Sequence, residues 1–303
     1  MANPFAQSYN GASKPSEEII SARVISIILD DTHPLFDDYG QWDSIGTIFY
    51  DSVKSPTPYL PVKDPQSESL SYYPTAKPLF PQYKASRRKG REESSMDWNE
   101  IFRIINQVRE EIRDNLPYKV IHVERCEADD IIGVLTHMKS KVEFNPDPIM
   151  IVSADKDFIQ LHKYNNVRQY SPMQKKFVQH DNPRLYALEH VLKGDSGDGV
   201  PNVLSQDDCF VEGIRQTPVT QKKIDAILAD LDEGELLYAA SWYRNYQRND
   251  TLINLENTPQ ELKTEIINKY QIPEQRGPGK VLNYFVANRC KMLIECIEDF
   301  NNA

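Results

Sequence analysis

The chain has 303 residues, 40% of them hydrophobic and 26% charged, with a formal net charge of −10 and a mean hydropathy of −0.58. That length buries a sizeable core in one large domain or two modest ones, and the longest apolar run, Val24–Leu29, is strand-sized rather than membrane-spanning. The acidic balance excludes a protein that coats nucleic acid by bulk charge, but it suits an enzyme with a local basic track beside a carboxylate-rich metal site.

The opening MANPFAQSYNG has neither a basic n-region nor an apolar h-region, which predicts no secretory leader. The four cysteines (Cys126, Cys209, Cys290 and Cys296) form no C-x-x-C pair, which argues against a disulfide scaffold or a cysteine zinc site and for a reducing compartment. No H-E-x-x-H, G-x-G-x-x-G or G-x-x-x-x-G-K-[ST] occurs.

In chain order, a polar stretch Met1–Glu18 precedes Ala22–Leu29, which reads as a buried strand ended by Asp30-Asp31-Thr32-His33-Pro34. Ile45–Tyr50 is a second strand candidate. Val53–Gln82 then carries seven prolines, so it cannot be helix and reads as an extended linker or as loops of a small β module. Residues 1–82 hold ten acidic and five basic residues, unlike a nucleic-acid arm.

From Tyr83 the texture becomes α/β. Trp98–Asn115 is predicted helical, with Ile101, Ile104, Ile105, Val108 and Ile112 at three- and four-residue spacings. Tyr118–Val123 is a predicted strand, Ala128–Lys139 a helix, Pro148–Ser153 a second buried strand and Lys156–Leu161 a helix start. This alternation predicts a parallel sheet. After about Pro183 helices dominate.

Carboxylates sit at the strand ends. Glu127-Ala128-Asp129-Asp130 follows one strand and opens a helix; Asp155-Lys156-Asp157 follows the next in the same way. In an open α/β sheet the carboxyl ends of neighbouring strands share one crevice. Five carboxylates there repel one another unless a cation neutralises them, and hard oxygen donors in that number favour Mg²⁺ or Mn²⁺ over zinc. The plainer alternative is helix N-capping. The third motif is Lys193-Gly194-Asp195-Ser196-Gly197-Asp198-Gly199-Val200-Pro201. Two aspartates three apart on one turn can reach a common metal, and the glycines let backbone approach a phosphate; an ordinary Asp/Gly turn is the alternative. The fourth is Lys84, Arg87, Arg88, Lys89 and Arg91, of which all but Lys89 fall along one helical face suited to phosphate contacts or simply to solvent. Tyr83 and Trp98 flank this run, and core packing is the expected role of both.

Glu127–Asp130, Ser153–Phe158 and Gly194–Pro201, in that order, resemble the signatures of the 5′-nuclease (flap endonuclease) superfamily, and Tyr83-Lys84-x-x-Arg87 resembles its basic helix. Arg91–Ser94, Gln160–Tyr164, Tyr170–Lys176 and Asn283–Val286 are similar to the RNase H branch found in T-even-type phages. The resemblance spans about 220 residues, from Tyr83 to the end. It implies a PIN-like α/β nuclease core with a parallel sheet over 83–182. It also implies a helical DNA-binding part over 183–303, with a helix–three-turn–helix element built around Gly194–Pro201. The implied activity is 5′→3′ exonuclease and flap endonuclease cleavage with RNase H activity, removing RNA primers and 5′ flaps in replication by Mg²⁺-dependent phosphodiester hydrolysis. Two Mg²⁺ ions are implied, with Mn²⁺ as a substitute. Carried over residue by residue, Glu127, Asp129, Asp130, Asp155 and Asp157 are direct or water-mediated metal ligands. Asp195 and Asp198 hold the second metal or its waters, and Lys84 and Arg87 orient the scissile phosphate. Arg88, Lys89, Arg91, Gly194, Gly197 and Gly199 contact DNA. The implied partners are DNA and RNA–DNA hybrid duplexes with 5′ ends or flaps, a single-stranded-DNA-binding protein and a sliding clamp, with no membrane. The implied setting is the cytoplasm of a phage-infected bacterium.

The N-terminal part departs from that pattern. A full 5′ nuclease opens with a strand ending in Asp, then a second strand with a metal-ligand Asp ahead of the basic helix. Asp30 or Asp31 stands where the first would be, but Pro34 and the proline-rich run replace the helix that should follow. Residues 1–82 form an atypical β/proline-rich segment, and Val24–Asp31, Gly46–Tyr50 and Ala76–Pro81 resemble a phage baseplate-hub β module. A seam near Phe80–Lys84 then marks a gene fusion or a chimeric assembly. The departure predicts DNA binding with weakened cleavage. It leaves two alternatives to a working nuclease: a catalytically impaired DNA-binding protein, or a fusion carrying a virion structural module.

Overall fold

Asp97 starts an 18-residue helix: its side chain accepts the Glu100 N–H, and Trp98–Asn115 (α1) buries Phe102, Ile104, Val108 and Ile112 on one stripe. The structure, a computed structural model, describes residues 47–49, 80–85, 90–91, 93–124, 126–141, 148–233, 240–272 and 280–300. The predicted strand at 22–29, Asp30, Asp31, the proline-rich run up to residue 79, and Arg87, Arg88 and Lys89 lie outside the described residues.

Among the described residues the other elements include β1 (Thr47–Phe49), β2 (Lys119–Ile121), α2 (Ala128–Ser140), β3 (Ile149–Val152), a 3-10 helix (Lys156–Lys163), β4 (Val167–Ser171) and β5 (Lys176–Val178). Helices follow: α3 (Pro183–Lys193), α4 (Gln221–Glu233), α5 (Tyr243–Ile253), α6 (Gln260–Gln271), α7 (Lys280–Ala287) and α8 (Lys291–Glu295). The α/β order is as the sequence predicts, and each predicted element from Trp98 to Lys163 is present within a few residues. Among the described residues no helix is long and apolar enough to cross a membrane.

The sheet differs from the expected single parallel one. Among the described residues there are two small sheets. β1 pairs with β2 in parallel, Ile48 opposite Val120. β3 pairs with β4 in parallel, and β4 turns back on β5 as an antiparallel hairpin. The hairpin escapes a pattern reading because β4 buries Val167, Gln169 and Ser171 on its inner face. Two of those three are polar, so the apolar alternation that marks a strand is missing. The turn places Lys175 at φ 51, which a glycine would have advertised. The expected helix–three-turn–helix is not confirmed either: α3 ends at Lys193 and the next helix begins only at Gln221.

Two apolar clusters tie the C-terminal helices to the α/β part. Ile104, Val108, Ile112, Leu116 and Tyr118 pack on Tyr284, Phe285 and Phe300. Ile121, Val123, Ile131 and Leu135 pack on Leu262 and Ile266 of α6. A smaller cluster of Phe80, Tyr83 and Val200 pins the start of the basic segment to the Gly194–Pro201 turn. Ile266 is fully buried whereas Met173 is 86% exposed. Ile266→Ala should therefore lower unfolding free energy by about 2–5 kcal/mol, while Met173→Ala should stay within about 0.5 kcal/mol, both read from urea denaturation.

Candidate active site

Three distant segments meet at one lysine. Lys84 Nζ donates to Glu127 Oε1 at 2.5 Å and lies 3.4 Å from Asp198 Oδ2. The Tyr83 hydroxyl sits 2.9 Å from Glu127 Oε2 and 3.0 Å from Asp198 Oδ2. One hydroxyl proton cannot serve two ionised carboxylates fully, so this pair favours extra positive charge or a shared proton. Lys84 adopts φ 55, a region that β-carbon sterics disfavour. Its own N–H holds it there by donating to the Asp198 carbonyl at 2.7 Å. Burial alone would lower the lysine pKa. The charges of Glu127 and Asp198, the Glu127 hydrogen bond and the Asp129 charge more than reverse that and hold it above the ordinary lysine range.

Glu127 and Asp130 form a capping box at the start of α2. Asp130 Oδ2 accepts the Glu127 N–H at 3.0 Å, and its Oδ1 accepts the Thr258 hydroxyl at 3.1 Å. Asp130 thus fixes the backbone of Glu127 and ties α2 to the start of α6. Asp129 Oδ1 accepts the Asp130 N–H. Capping and the contact with Lys84 go together here, because the cap fixes the backbone of Glu127 beside Lys84.

The second centre is Asp157. It lies in the first turn of the 3-10 helix, which Asp155 caps by accepting the Asp157 N–H at 2.9 Å. Burial, then the charges of Asp155, Asp195 and Asp198, push the Asp157 carboxyl up to about 7, against the opposing pull of Lys84. His190 Nδ1, on α3, is 3.4 Å from Asp157 Oδ1. Burial lowers the His190 pKa although Asp195, Asp155 and Asp198 act to raise it. Asp157, His190 and Asp195 each offer a donor atom, and these atoms lie within 4.8 Å of one another. Asp198 belongs to both centres: it touches Lys84, and its charge acts on Asp157.

The Gly194–Pro201 turn is held rigidly. Asp195 and Val200 exchange backbone hydrogen bonds, and Asp195 Oδ1 accepts the Gly197 and Asp198 N–H groups. Gly194 has φ 70, and a Cβ there would lie 2.4 Å from the Val200 carbonyl. Gly199 has φ 72, and a Cβ would meet the Gln82 carbonyl at 3.2 Å. Both glycines are therefore needed for the chain's own close packing. Arg248 Nη2 and Asn249 Nδ2 each donate to the Pro201 carbonyl at 2.8 Å.

Among the expected residues, the structure brings Lys84, Glu127 and Asp198 into contact, with Asp129 near enough to act on Lys84. It brings Asp157 and Asp195 together within reach of Asp155 and Asp198. The Arg91 guanidinium lies 5.9 Å from the Phe102 ring. Tyr83 is buried, as expected, but its hydroxyl also serves the site. Two residues went unnoticed in the sequence. His190 is one of six histidines with no motif around it. Gln169 is fully buried and donates to the carbonyls of Ser153 at 2.8 Å and Asp155 at 2.6 Å, while its Oε1 meets His162 Nε2 at 3.0 Å. It thereby fixes the loop that carries Asp155 and Asp157. The Gln160–Tyr164 and Tyr170–Lys176 matches bracket Gln169 without touching it.

Residues 74–190 match the model of the 5′-3′ exonuclease N-terminal resolvase-like domain, and residues 182–300 match the C-terminal model of T4 RNase H. The chain is 35% identical over 223 residues to the ribonuclease H of Enterobacteria phage T4, covering 72% of each protein. It is 29% identical over 133 residues to the 5′-3′ exonuclease of Buchnera aphidicola subsp. Schizaphis graminum, covering 41% of this chain and 42% of that protein. Among solved structures, the zinc-bound 5′-exonuclease of T5 aligns at a TM-score of 0.45 with 14% identity over 94% of both chains. The bacteriophage T5 D15 flap endonuclease in complex with DNA and metal ions aligns at 0.41, with 15% identity over 72% of this chain and 79% of that one.

The Asp157 environment makes a stability prediction. Its folded pKa of about 7 lies above the ordinary 3.8, so between these values the folded state binds the extra proton. Stability falls as pH rises through that window and stays lower above it. Asp157→Asn should remove this slope and stabilise the metal-free protein at pH 8 by about 1–3 kcal/mol, allowing for partial screening. Urea denaturation at pH 5 and pH 8 in the presence of a chelator measures it; a variant no more stable than the parent at pH 8 contradicts it.

Proposed function

The chain belongs to the 5′-3′ exonuclease family, in its phage ribonuclease H branch, and on that premise we propose that it is a metal-dependent 5′ nuclease acting on duplexes with 5′ ends or flaps. The observation that supports this most is the meeting of Glu127, Asp198 and Lys84, with the Asp157–Asp195 pair alongside. Carboxylates from three segments gathered at this density are unfavourable without a cation, and at Asp157 the charges of Asp155, Asp195 and Asp198 add to burial in raising the pKa.

In this reading the bound ions, Mg²⁺ with Mn²⁺ as a substitute, supply polarisation of the scissile phosphate and a lowered pKa for the attacking water. Asp155, Asp157, Asp195 and Asp198 hold one side of the site, and Glu127 and Asp129 the other. Asp130 acts by fixing Glu127. Lys84, with Arg87 beside it in sequence, orients the phosphate and offsets charge that develops on it. Lys84 already faces the carboxylates, so its ammonium is placed before substrate arrives and little reorganisation is needed. Arg88, Lys89 and Arg91 extend the phosphate track, and the exposed Gly197 end of the turn faces nucleic acid. Residues 83–182 would carry most of the chemistry, and residues 183–303 would add Asp195 and Asp198 to the site and supply the grip on duplex. The biological task would be removal of RNA primers and 5′ flaps in replication within the host cytoplasm, alongside a single-stranded-DNA-binding protein and a sliding clamp.

The test is single-turnover cleavage of a 5′-flap DNA. The parent chain should cut with Mg²⁺ and fail with chelator. Lys84→Ala should slow cutting by at least ~10²-fold, about 3 kcal/mol in barrier. No metal-dependent cleavage by the parent would overturn the assignment in favour of a DNA-binding protein without catalysis. In the binding arm, Arg91→Ala should lower the slope of log K against log[salt] by about one if Arg91 contacts a phosphate; an unchanged slope would leave it a packing residue on Phe102.

A further inference from the structure

We propose that His190 contributes a nitrogen ligand to the divalent-ion site and shifts its preference from Mg²⁺ towards the later first-row ions. This rests on the metal-dependent reading above and deepens it. His190 stands on the inward face of α3, its side chain only 17% exposed, directly across from Asp157. Its Nδ1 lies 3.4 Å from Asp157 Oδ1, and a carboxylate oxygen of Asp195 completes a set of donors all within 4.8 Å. Donors bound to one ion at about 2.0–2.2 Å stand roughly 3 Å apart when adjacent and a little over 4 Å when opposite. The observed set needs only small side-chain adjustments to close on a single ion.

The imidazole is oriented from behind. The Tyr186 ring meets His190 edge-to-face at 6.0 Å, and His180 meets Tyr186 in the same way at 4.9 Å. These edge-to-face contacts restrict how the imidazole can turn. The chemistry then sets selectivity. Mg²⁺ demands oxygen donors and gains little from imidazole, whereas affinity for nitrogen donors rises along the first row from Mn²⁺ to Co²⁺ and beyond. An all-carboxylate site has a weaker bias of this kind. The rival role for His190 is a hydrogen bond to Asp157 with no contact to the ion.

The experiment uses the full chain and reads binding rather than activity. Calorimetric titrations with Co²⁺ and, separately, Mg²⁺ compare the parent, His190→Ala and His190→Gln. Both variants should lose at least ~10-fold in Co²⁺ affinity and less than ~3-fold in Mg²⁺ affinity. The Mn²⁺-loaded parent should show ¹⁴N modulation in its electron spin echo, and His190→Ala should not. Equal losses for the two metals, or bound Mn²⁺ without ¹⁴N modulation, would overturn the ligand role. If the parent binds neither ion and cuts no flap, the nuclease reading falls with it. If the parent binds and cuts while His190→Ala keeps the parent's metal preference, only this inference falls.

Discussion

The site depends on one ammonium held among carboxylates that would otherwise repel each other. Lys84 sits between Glu127 and Asp198, and those two residues are 71 positions apart in sequence. Without that cation, Glu127 at the start of α2 and Asp198 on the turn after α3 would share only the Tyr83 hydroxyl, whose single proton cannot offset two negative charges. With it, they draw the α/β part and the helical part against one another. The arrangement needs the backbone as well as the charge. Lys84 occupies a disfavoured φ, Gly199 leaves room for the Gln82 carbonyl, and the Lys84 N–H binds the Asp198 carbonyl. Each contact is modest alone; together they fix one geometry.

One ammonium cannot balance Glu127, Asp129, Asp155, Asp157, Asp195 and Asp198. Burial and this imbalance act together at Asp157: burial first, then the charges of Asp155, Asp195 and Asp198, push its carboxyl up to about 7 against the pull of Lys84. The packing around it therefore bears the strain. Gln169 holds the Ser153–Asp155 backbone from inside the sheet, Asp155 caps the 3-10 helix, and Arg248 and Asn249 grip the Pro201 carbonyl below the turn. Arg248 is itself nearly buried, paired with Asp207 and placed over the Phe80 ring. Such second-layer polar contacts keep carboxylates in place that electrostatics alone would spread apart.

Much of this was legible in the sequence, for definite reasons. Helix α1 shows an apolar stripe at helical spacing with a capping Asp97, and α2 opens on acidic residues that both cap and face the site. Two of the carboxylate motifs announce themselves because acidic residues soon after buried strands are conspicuous, and the third because two aspartates stand among glycines in Gly194–Pro201. What stayed hidden is polar burial. Strand β4 carries Gln169 and Ser171 on its buried face, so no period-2 apolar pattern marks it, and its hairpin with β5 turns through a lysine at positive φ instead of a glycine. His190 follows the same logic. On α3 it looks like any helical histidine, and only the fold brings it opposite Asp157, more than thirty residues earlier.

The glycines of the 194–199 turn show how a sequence signal and its physical cause can differ. Their pattern suggests a backbone opened for a phosphate. The structure gives Gly194 and Gly199 a nearer neighbour: the Val200 and Gln82 carbonyls occupy the space a Cβ would need. Gly197 is different. It is exposed, and its N–H turns back to Asp195 Oδ1 instead of outward. The turn is thus shaped chiefly to deliver two aspartates, Asp195 towards Asp157 and His190, and Asp198 towards Lys84 and Tyr83. Two carboxylates three residues apart would ordinarily point along one face of a helix and share one environment. Here a six-residue bridge closed by Asp195 and Val200 sends them to separate centres, one ruled by an ammonium and the other by an imidazole. A substitution that merely relaxed this turn, leaving every carboxylate in the chain, would remove the distinction between the two centres.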